Sequence, residues 1–335
     1  MPTLTARQNI KAIVTAIQAE EQSLRSRYPI LNWQNSIAMV ILLLSLTALI
    51  GVALLYYFAV IPAWLCILLA AFITSISHEL EHDLIHKQYF SDRPFVYHFM
   101  MLVVWMMRPN TVNPWYRRQI HLHHHKVSGT EQDLEERLVG NGIQSLWLRA
   151  VVITDGLLGL LLNAKQFSRE VKGFTFLQVF NAGFPLATAY FATLYGVIAY
   201  YVLQFIQPFE LPRWGADLLA VAEFFMVVLI IPNMIRSASL NLVTSSMHYY
   251  GGVNNVLEQT HVITSCWFLP FQLFCFDFGR THTIHHFVPN QPFYIRQLIS
   301  KKIRPVMAQH GVHFDDLQSL KNANHYSVKV QVSQK

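Results

Sequence analysis

The sequence predicts an all-α integral membrane protein. About four transmembrane helices pair into two hairpins, with interfacial helices and a histidine-lined cap on one face. Three observations carry this expectation. Only 13% of the 335 residues are charged and 53% are hydrophobic, and that charged share is about half the share of a soluble domain. Several uncharged apolar runs are long enough to cross a bilayer. Eleven of the 16 histidines fall in three short clusters or at one further site beside those runs.

The elements follow in chain order. Residues 3–28 place Ile10, Val14, Ile17 and Leu24 at roughly helical spacing, with Lys11, Glu20, Glu21, Arg25 and Arg27 between them. That pattern fits an interfacial helix or an ordinary solvated amphipathic one. Residues 36–59 form the first span and residues 61–77 the second, separated at Pro62. Residues 95–107 are apolar but reach only roughly 20 Å, so they read as re-entrant or interfacial. Residues 146–163 contain Arg149 and Asp155 and read as interfacial. Residues 175–204 and 217–235 form the second pair of spans. Residues 290–322 read as a surface helix and a soluble cap.

Charge orients this arrangement. The two loops on the far side hold one basic residue, Arg213, and the other 24 of 25 lysines and arginines lie on the side of the termini. The positive-inside rule makes that side cytosolic. The net charge of +6 then points to anionic headgroups and not to nucleic acid. No cleavable signal is visible at the N-terminus. Cys66, Cys266 and Cys275 are scattered and form no C-x-x-C pair, which argues against a disulfide framework or a thiolate zinc site.

Three clusters carry the chemistry: "HELEHDLIH" at 78–86, "HLHHH" at 121–125 and "HTIHH" at 282–286. His121, His124 and His125 give H-x-x-H-H, and His282, His285 and His286 repeat it. Positions i, i+3 and i+4 share one helix face, so each box presents three imidazoles to one cavity. His78, His82 and His86 form a comparable stripe at i, i+4 and i+8. One zinc ion takes three or four ligands, far fewer than are offered. Two metals would use them, and an imidazole shell with an open position suits a redox metal such as iron.

The three boxes resemble those of the membrane fatty acid desaturase and hydroxylase superfamily. The resemblance covers residues from about 36 to 300, including the paired spans, two boxes between them and one box near the C-terminus. "HDLIHKQYF" is similar to the desaturase form of box one. "HHKVSGTEQD" and the His248 context "SSMHYYGG" are similar to membrane alkane hydroxylases. The resemblance implies one membrane domain over 1–335, with an N-terminal helix (1–35), a metal-binding core (36–300) and a C-terminal cap (301–335). It implies two iron ions held by His78, His82, His86, His121, His124, His125, His248, His282, His285 and His286. His82 belongs to both overlapping H-x(3)-H readings of box one, and the choice between His78 and His86 stays open.

The acids near the boxes, Glu79, Glu81, Asp83, Asp133 and Asp277, are candidates to accept the outward N–H of a ligating imidazole, or are exposed interfacial acids. His123 falls between ligand positions, and His98 and His261 read as buried structural histidines. His310, His313 and His325 read as surface residues.

The resemblance further implies oxidation of an unactivated C–H bond in a fatty acid or fatty acyl chain, with O2 as co-substrate. Desaturation to an alkene is the expected outcome; hydroxylation and oxidative decarboxylation to a terminal alkene are the alternatives. Electrons would come from a separate ferredoxin, rubredoxin or cytochrome b5 with its reductase, because no fused carrier is visible. The basic residues Arg296, Lys301, Lys302 and Arg304 offer such a carrier a docking face, or a membrane surface a contact. The C-terminal "VQVSQK" lacks a retention signal and favours a bacterial inner membrane. Two rival classes remain. A zinc protease would use H-E-x-x-H with Glu79 as base. A metal transporter would spread its histidines through the spans.

Overall fold

A computed structural model describes residues 5–326. The described residues are helical, and the only strand-like contacts are two isolated bridges, His248 with Thr260 and Val262 with Phe314. Among the described residues, four helices are long and apolar enough to cross a membrane.

The first hairpin pairs α2 (Gln34–Tyr57) with α3 (Ala63–Ile85). Pro62 caps α3, since a proline is tolerated where a helix starts and its missing N–H breaks the one before. Leu43, Leu44 and Leu54 are exposed along α2, as expected of side chains that face lipid. α3 differs along its length: from Ser77 to Ile85 every residue is buried. It packs between α2, α4 (Pro94–Met107) and the last long helix. The 14 residues of α4 are too few to span. Tyr97, Met100, Met101 and Val104 of α4 instead form a core with Leu80 and Leu84 of α3.

α5 (Pro114–Val127) carries box two, and α6 (Leu134–Leu138) follows after a short turn. The apolar run at 146–163 is two helices, α7 (Leu146–Thr154) and α8 (Gly156–Glu170). Asp155 separates them. Its Oδ1 accepts from Leu157 N (3.0 Å) and Leu158 N (2.9 Å), capping α8.

The second pair of spans differs from the sequence reading in two ways. Residues 175–204 are broken at Pro185 into α9 (Phe176–Gly183) and α10 (Leu186–Ile206), and only α10 is long enough to span. Conversely, the last span does not stop near residue 235. α11 (Arg213–Phe225), a π turn at Met226–Ile230 and α12 (Ile231–Met247) form one rod of 35 residues. Pro232 lacks an N–H, and the wider π turn just before it lets the rod pass without a break. The rod therefore reaches His248, which caps its end.

The cap comprises α13 (Leu269–Phe274), α14 (Phe278–Phe287) with box three, and α15 (Phe293–Gln309). The N-terminal helix α1 (Ala6–Arg27) closes it. Ile13 and Ile17 are fully buried against Ile284, Ile295, Ile299 and Ile303. The apolar stripe of α1 thus faces protein, which decides between the two sequence readings of that helix.

Candidate metal centre

Four elements bring the boxes together. Box one lies at the end of α3, box two on α5, His248 at the end of α12 and box three on α14. They meet in two groups of imidazoles. His82, His86, His121 and His285 offer ring nitrogens that all lie within 4.8 Å of one another. His124, His248, His282 and His286 form a second such group. His125 stands between them, with its ring centroid 4.8 Å from that of His285 and 5.2 Å from that of His286. Its Nε2 is 2.9 Å from His285 Nε2 and 3.2 Å from His121 Nε2.

The outward nitrogens are fixed by acceptors. Asp133 Oδ2 accepts from His124 Nδ1 (2.8 Å), while Oδ1 caps α6 through Glu136 N (3.3 Å). Glu135 Oε2 accepts from His121 Nδ1 (2.7 Å). Thr244 O accepts from His248 Nδ1 (2.9 Å), with Glu136 Oε2 3.3 Å away. Gln259 Oε1 accepts from His286 Nδ1 (2.9 Å). An imidazole that donates from Nδ1 presents a bare Nε2 lone pair to the interior, the tautomer a metal needs.

That tautomer assignment also tests whether a metal fits. His248 and His286 both donate from Nδ1, yet their Nε2 atoms lie 3.2 Å apart. Two facing lone pairs repel at that distance unless a cation or proton lies between them. His82 has both ring nitrogens buried without a hydrogen-bond partner. Buried polar atoms are rarely left so, and a metal would satisfy one of the two.

The electrostatics favour ligation at His248 and His86, whereas His124 must give up a proton to a metal. Burial pushes His248 down to about 3, with the nearby His124 adding to the effect, and lowers His86 to about 2. Both are neutral and ready to ligate at physiological pH. Burial also opposes charge on His124, but the Asp133 carboxylate outweighs it and raises the imidazole to about 10. Burial raises Glu136 to about 8 despite the His124 charge. Glu135 moves the other way: burial would raise it, but His121 and His124 hold it well below the usual carboxylate range.

Several expected residues lie elsewhere. His78 is outside both groups. Its Nδ1 lies 3.2 Å from Arg108 Nη1 and 3.3 Å from Arg117 Nη1. Arginine only donates, so Nδ1 accepts and the proton sits on Nε2. Glu79 pairs with Arg296 (3.3 Å), not with an imidazole, so the zinc-hydrolase arrangement of H-E-x-x-H is not assembled. Asp83 pairs with the same Arg296 (3.1 Å) and accepts from Tyr89 Oη and Phe293 N (both 2.7 Å); His82 Nδ1 is 4.0 Å away. Glu81 holds Arg108 (2.5 Å) and Arg117. Asp277 pairs with Arg280 (3.0 Å) at the start of α14, where its backbone is left-handed (φ 59°), and not with an imidazole of box three.

Arg296, expected at a docking face, is 1% exposed and ties α15 to α3. His98 is exposed and accepts from Trp115 Nε1 (2.8 Å), where a buried position was expected. His310 and His313 are half-buried; His310 pairs with Asn9 and His313 with Tyr249 (both 2.9 Å). His123 and His325 are exposed. His261 is buried and donates to Ser246 O (2.9 Å), as a structural histidine would.

A cavity of about 510 Å³ opens from the imidazoles. His78, His82, His121, His124 and His282 line one part, and Leu157, Leu160, Phe180, Ala187 and Phe191 line an apolar part between α8, α9 and α10. The sequence reading missed Glu135, Glu136 and Gln259 as imidazole partners. The acidic run "DLEE" just after box two was the available signal for the first two.

A family model described as fatty acid desaturase matches residues 58–318. The chain belongs to the fatty acid desaturase family. A comparison with curated proteins gives no match. As a desaturase-family member with four candidate spans, the protein is an integral membrane oxidoreductase acting on fatty acyl substrate. The two imidazole groups of this desaturase-family chain are its candidate metal site, and a cavity with an apolar part lies beside them.

Proposed function

We propose that the protein oxidises an unactivated C–H bond of a fatty acyl chain with O2, and that the outcome is desaturation. The balance is R–CH2–CH2–R′ + O2 + 2 electrons + 2 protons → R–CH=CH–R′ + 2 water. The observation that carries this reading is the pair of imidazole groups opening on one cavity with an apolar wall. Two iron ions, once bound, supply the O2 chemistry. His82, His86, His121, His125 and His285 would hold one, and His124, His248, His282 and His286 the other.

The chain's own residues have three tasks. Asp133, Glu135, Thr244 and Gln259 keep four imidazoles in the ligating tautomer. The cavity walls exclude water and hold an extended alkyl chain against the imidazoles. The burial of α3 from Ser77 to Ile85 keeps box one rigid.

The two electrons come from a separate ferredoxin, rubredoxin or cytochrome b5-type donor with its reductase. Exposed Lys301 and Lys302, with half-buried Arg304, offer it a basic face, although Lys302 also pairs with Glu20 (2.7 Å). Charge distribution supports a cytosolic position for this side.

The test is metal analysis with product analysis. Purified protein should hold two irons per chain. Supplied with O2, electrons and fatty acyl substrate, it should yield an internal alkene by gas chromatography–mass spectrometry. A single zinc would sink the metal assignment. A hydroxylated product, or a 1-alkene one carbon shorter, would replace desaturation with the corresponding alternative.

A further inference from the structure

The cavity holds an arginine that the metal site does not use. Arg236, on α12, is 1% exposed and lines the cavity. Its Nε donates to Asn233 Oδ1 (3.1 Å) and its Nη2 to Asn110 Oδ1 (3.0 Å), both neutral amides. Its Nη1 is buried with no partner. Among the described residues, Arg236 has no carboxylate within ion-pair distance. The neighbouring arginines differ: Arg108 and Arg117 share Glu81, and Arg296 holds Glu79 and Asp83. A guanidinium stays charged at any physiological pH, and a buried charge without a counter-ion is strongly disfavoured. An anion from outside the chain would supply that counter-ion.

We propose that Arg236 binds the carboxylate of a free fatty acid, so that the substrate is the acid and not an ester, thioester or membrane lipid. This rests on the reading of the cavity as an acyl-chain site. The guanidinium edge suits a carboxylate, which accepts two charge-assisted hydrogen bonds. Asn110 and Ser237 also line the cavity there, and Asn110 Nδ2 donates to Ser237 Oγ (3.0 Å), so the pocket around the charge is polar and built. An ester carbonyl would accept a hydrogen bond but leave the charge unpaired.

The anchor also sets which way the chain lies. Asn233 Nδ2 donates to Met107 O (3.1 Å), and Asn110 accepts from Arg236, so α12 is fastened to the turn at 107–110. Arg108 in that turn lies against His78, whose ring is 6.4 Å from that of His82. Arg236 is thus at the imidazole end of the cavity. The alkyl chain runs outward along Leu157, Phe180 and Ala187. The C–H bonds closest to the imidazoles are those near the carboxylate.

The experiment measures binding to the purified full-length chain without turnover. Tritiated dodecanoate and tritiated methyl dodecanoate are each titrated against wild type, Arg236→Gln and Arg236→Lys. Wild type should prefer the acid by about tenfold or more. R236Q should lose that preference while binding the ester as wild type does, and R236K should retain part of it. Equal binding of acid and ester by wild type would overturn the anchor. So would an R236Q variant that loses both ligands alike, which is a structural role, or one that keeps its preference. Because no oxidation is read, an intact acid preference in a protein that oxidises no acyl chain would defeat the proposed reaction and leave the anchor standing. Oxidation without any acid preference would do the reverse.

Discussion

Asp133 serves two elements at once: one carboxylate oxygen accepts from His124 Nδ1 at 2.8 Å and the other caps α6 at Glu136 N. The cap places α6, and α6 places Glu135 against His121 and Glu136 near His248. One side chain therefore orients imidazoles in both groups. Asp133→Asn keeps the shape and an acceptor oxygen but removes the charge. Iron affinity should fall by about 10–100-fold, the usual effect of losing a carboxylate behind a ligating histidine. Iron content after dialysis against a graded chelator series checks this; wild-type retention would show that the carboxylate does not tune the site.

The geometry divides box one into unequal halves. His86 Nε2 is 2.9 Å from His121 Nε2, inside the first group, whereas His78 accepts from two arginines outside it. His86→Ala should lose iron and turnover together, as should His124→Ala, His285→Ala and His286→Ala. His78→Ala should keep its iron. His123 is exposed, and His123→Ala should keep both iron and most activity. Paired iron and turnover measurements on these variants decide; an iron-free His78→Ala protein would return His78 to the ligand set.

The boxes were legible because ligand spacing on a helix is a local property: i, i+3 and i+4 share a face whatever the rest of the chain does. The long apolar runs were legible for the same reason. What the sequence hid depends on distant contacts. Arg296 reads as a surface charge on α15, but it is buried because α3 brings Glu79 and Asp83 to it across more than two hundred residues. Gln259 carries no motif and becomes a partner of His286 only through the loop after α12. The continuation of the last span from residue 235 to Met247 was hidden too, because the polar residues from Arg236 onward read as the end of an apolar run. Arg236 was passed over for that reason: it falls just past the expected end of a helix that in fact runs on to Met247.

Among the described residues Glu81 is the sole carboxylate paired with Arg108, whereas Arg117 also reaches Glu135 (3.6 Å), and both Glu81 and Arg108 are 0% exposed. Removing one partner leaves the other charge buried and uncompensated, at a cost of about 3–5 kcal/mol. Glu81→Gln should therefore lower the thermal midpoint of the detergent-solubilised protein sharply. His78 is not part of either imidazole group, so protein that still folds should keep its iron. An unchanged midpoint would mean that the two arginines find other acceptors.

The apolar part of the cavity sets how much alkyl chain fits. Ala187 lines that part from the first turn of α10. Ala187→Trp would put an indole into that part of the cavity. The long end of the substrate range should then be lost first: turnover of octadecanoate should drop about tenfold or more relative to dodecanoate, since a chain that cannot fully enter cannot bring its reacting carbons to the imidazoles. Iron content should not change, because Ala187 touches neither imidazole group. Competition between acids of the two lengths, followed by mass spectrometry of the products, measures the shift directly. A uniform loss across all lengths would instead place the chain outside this wall.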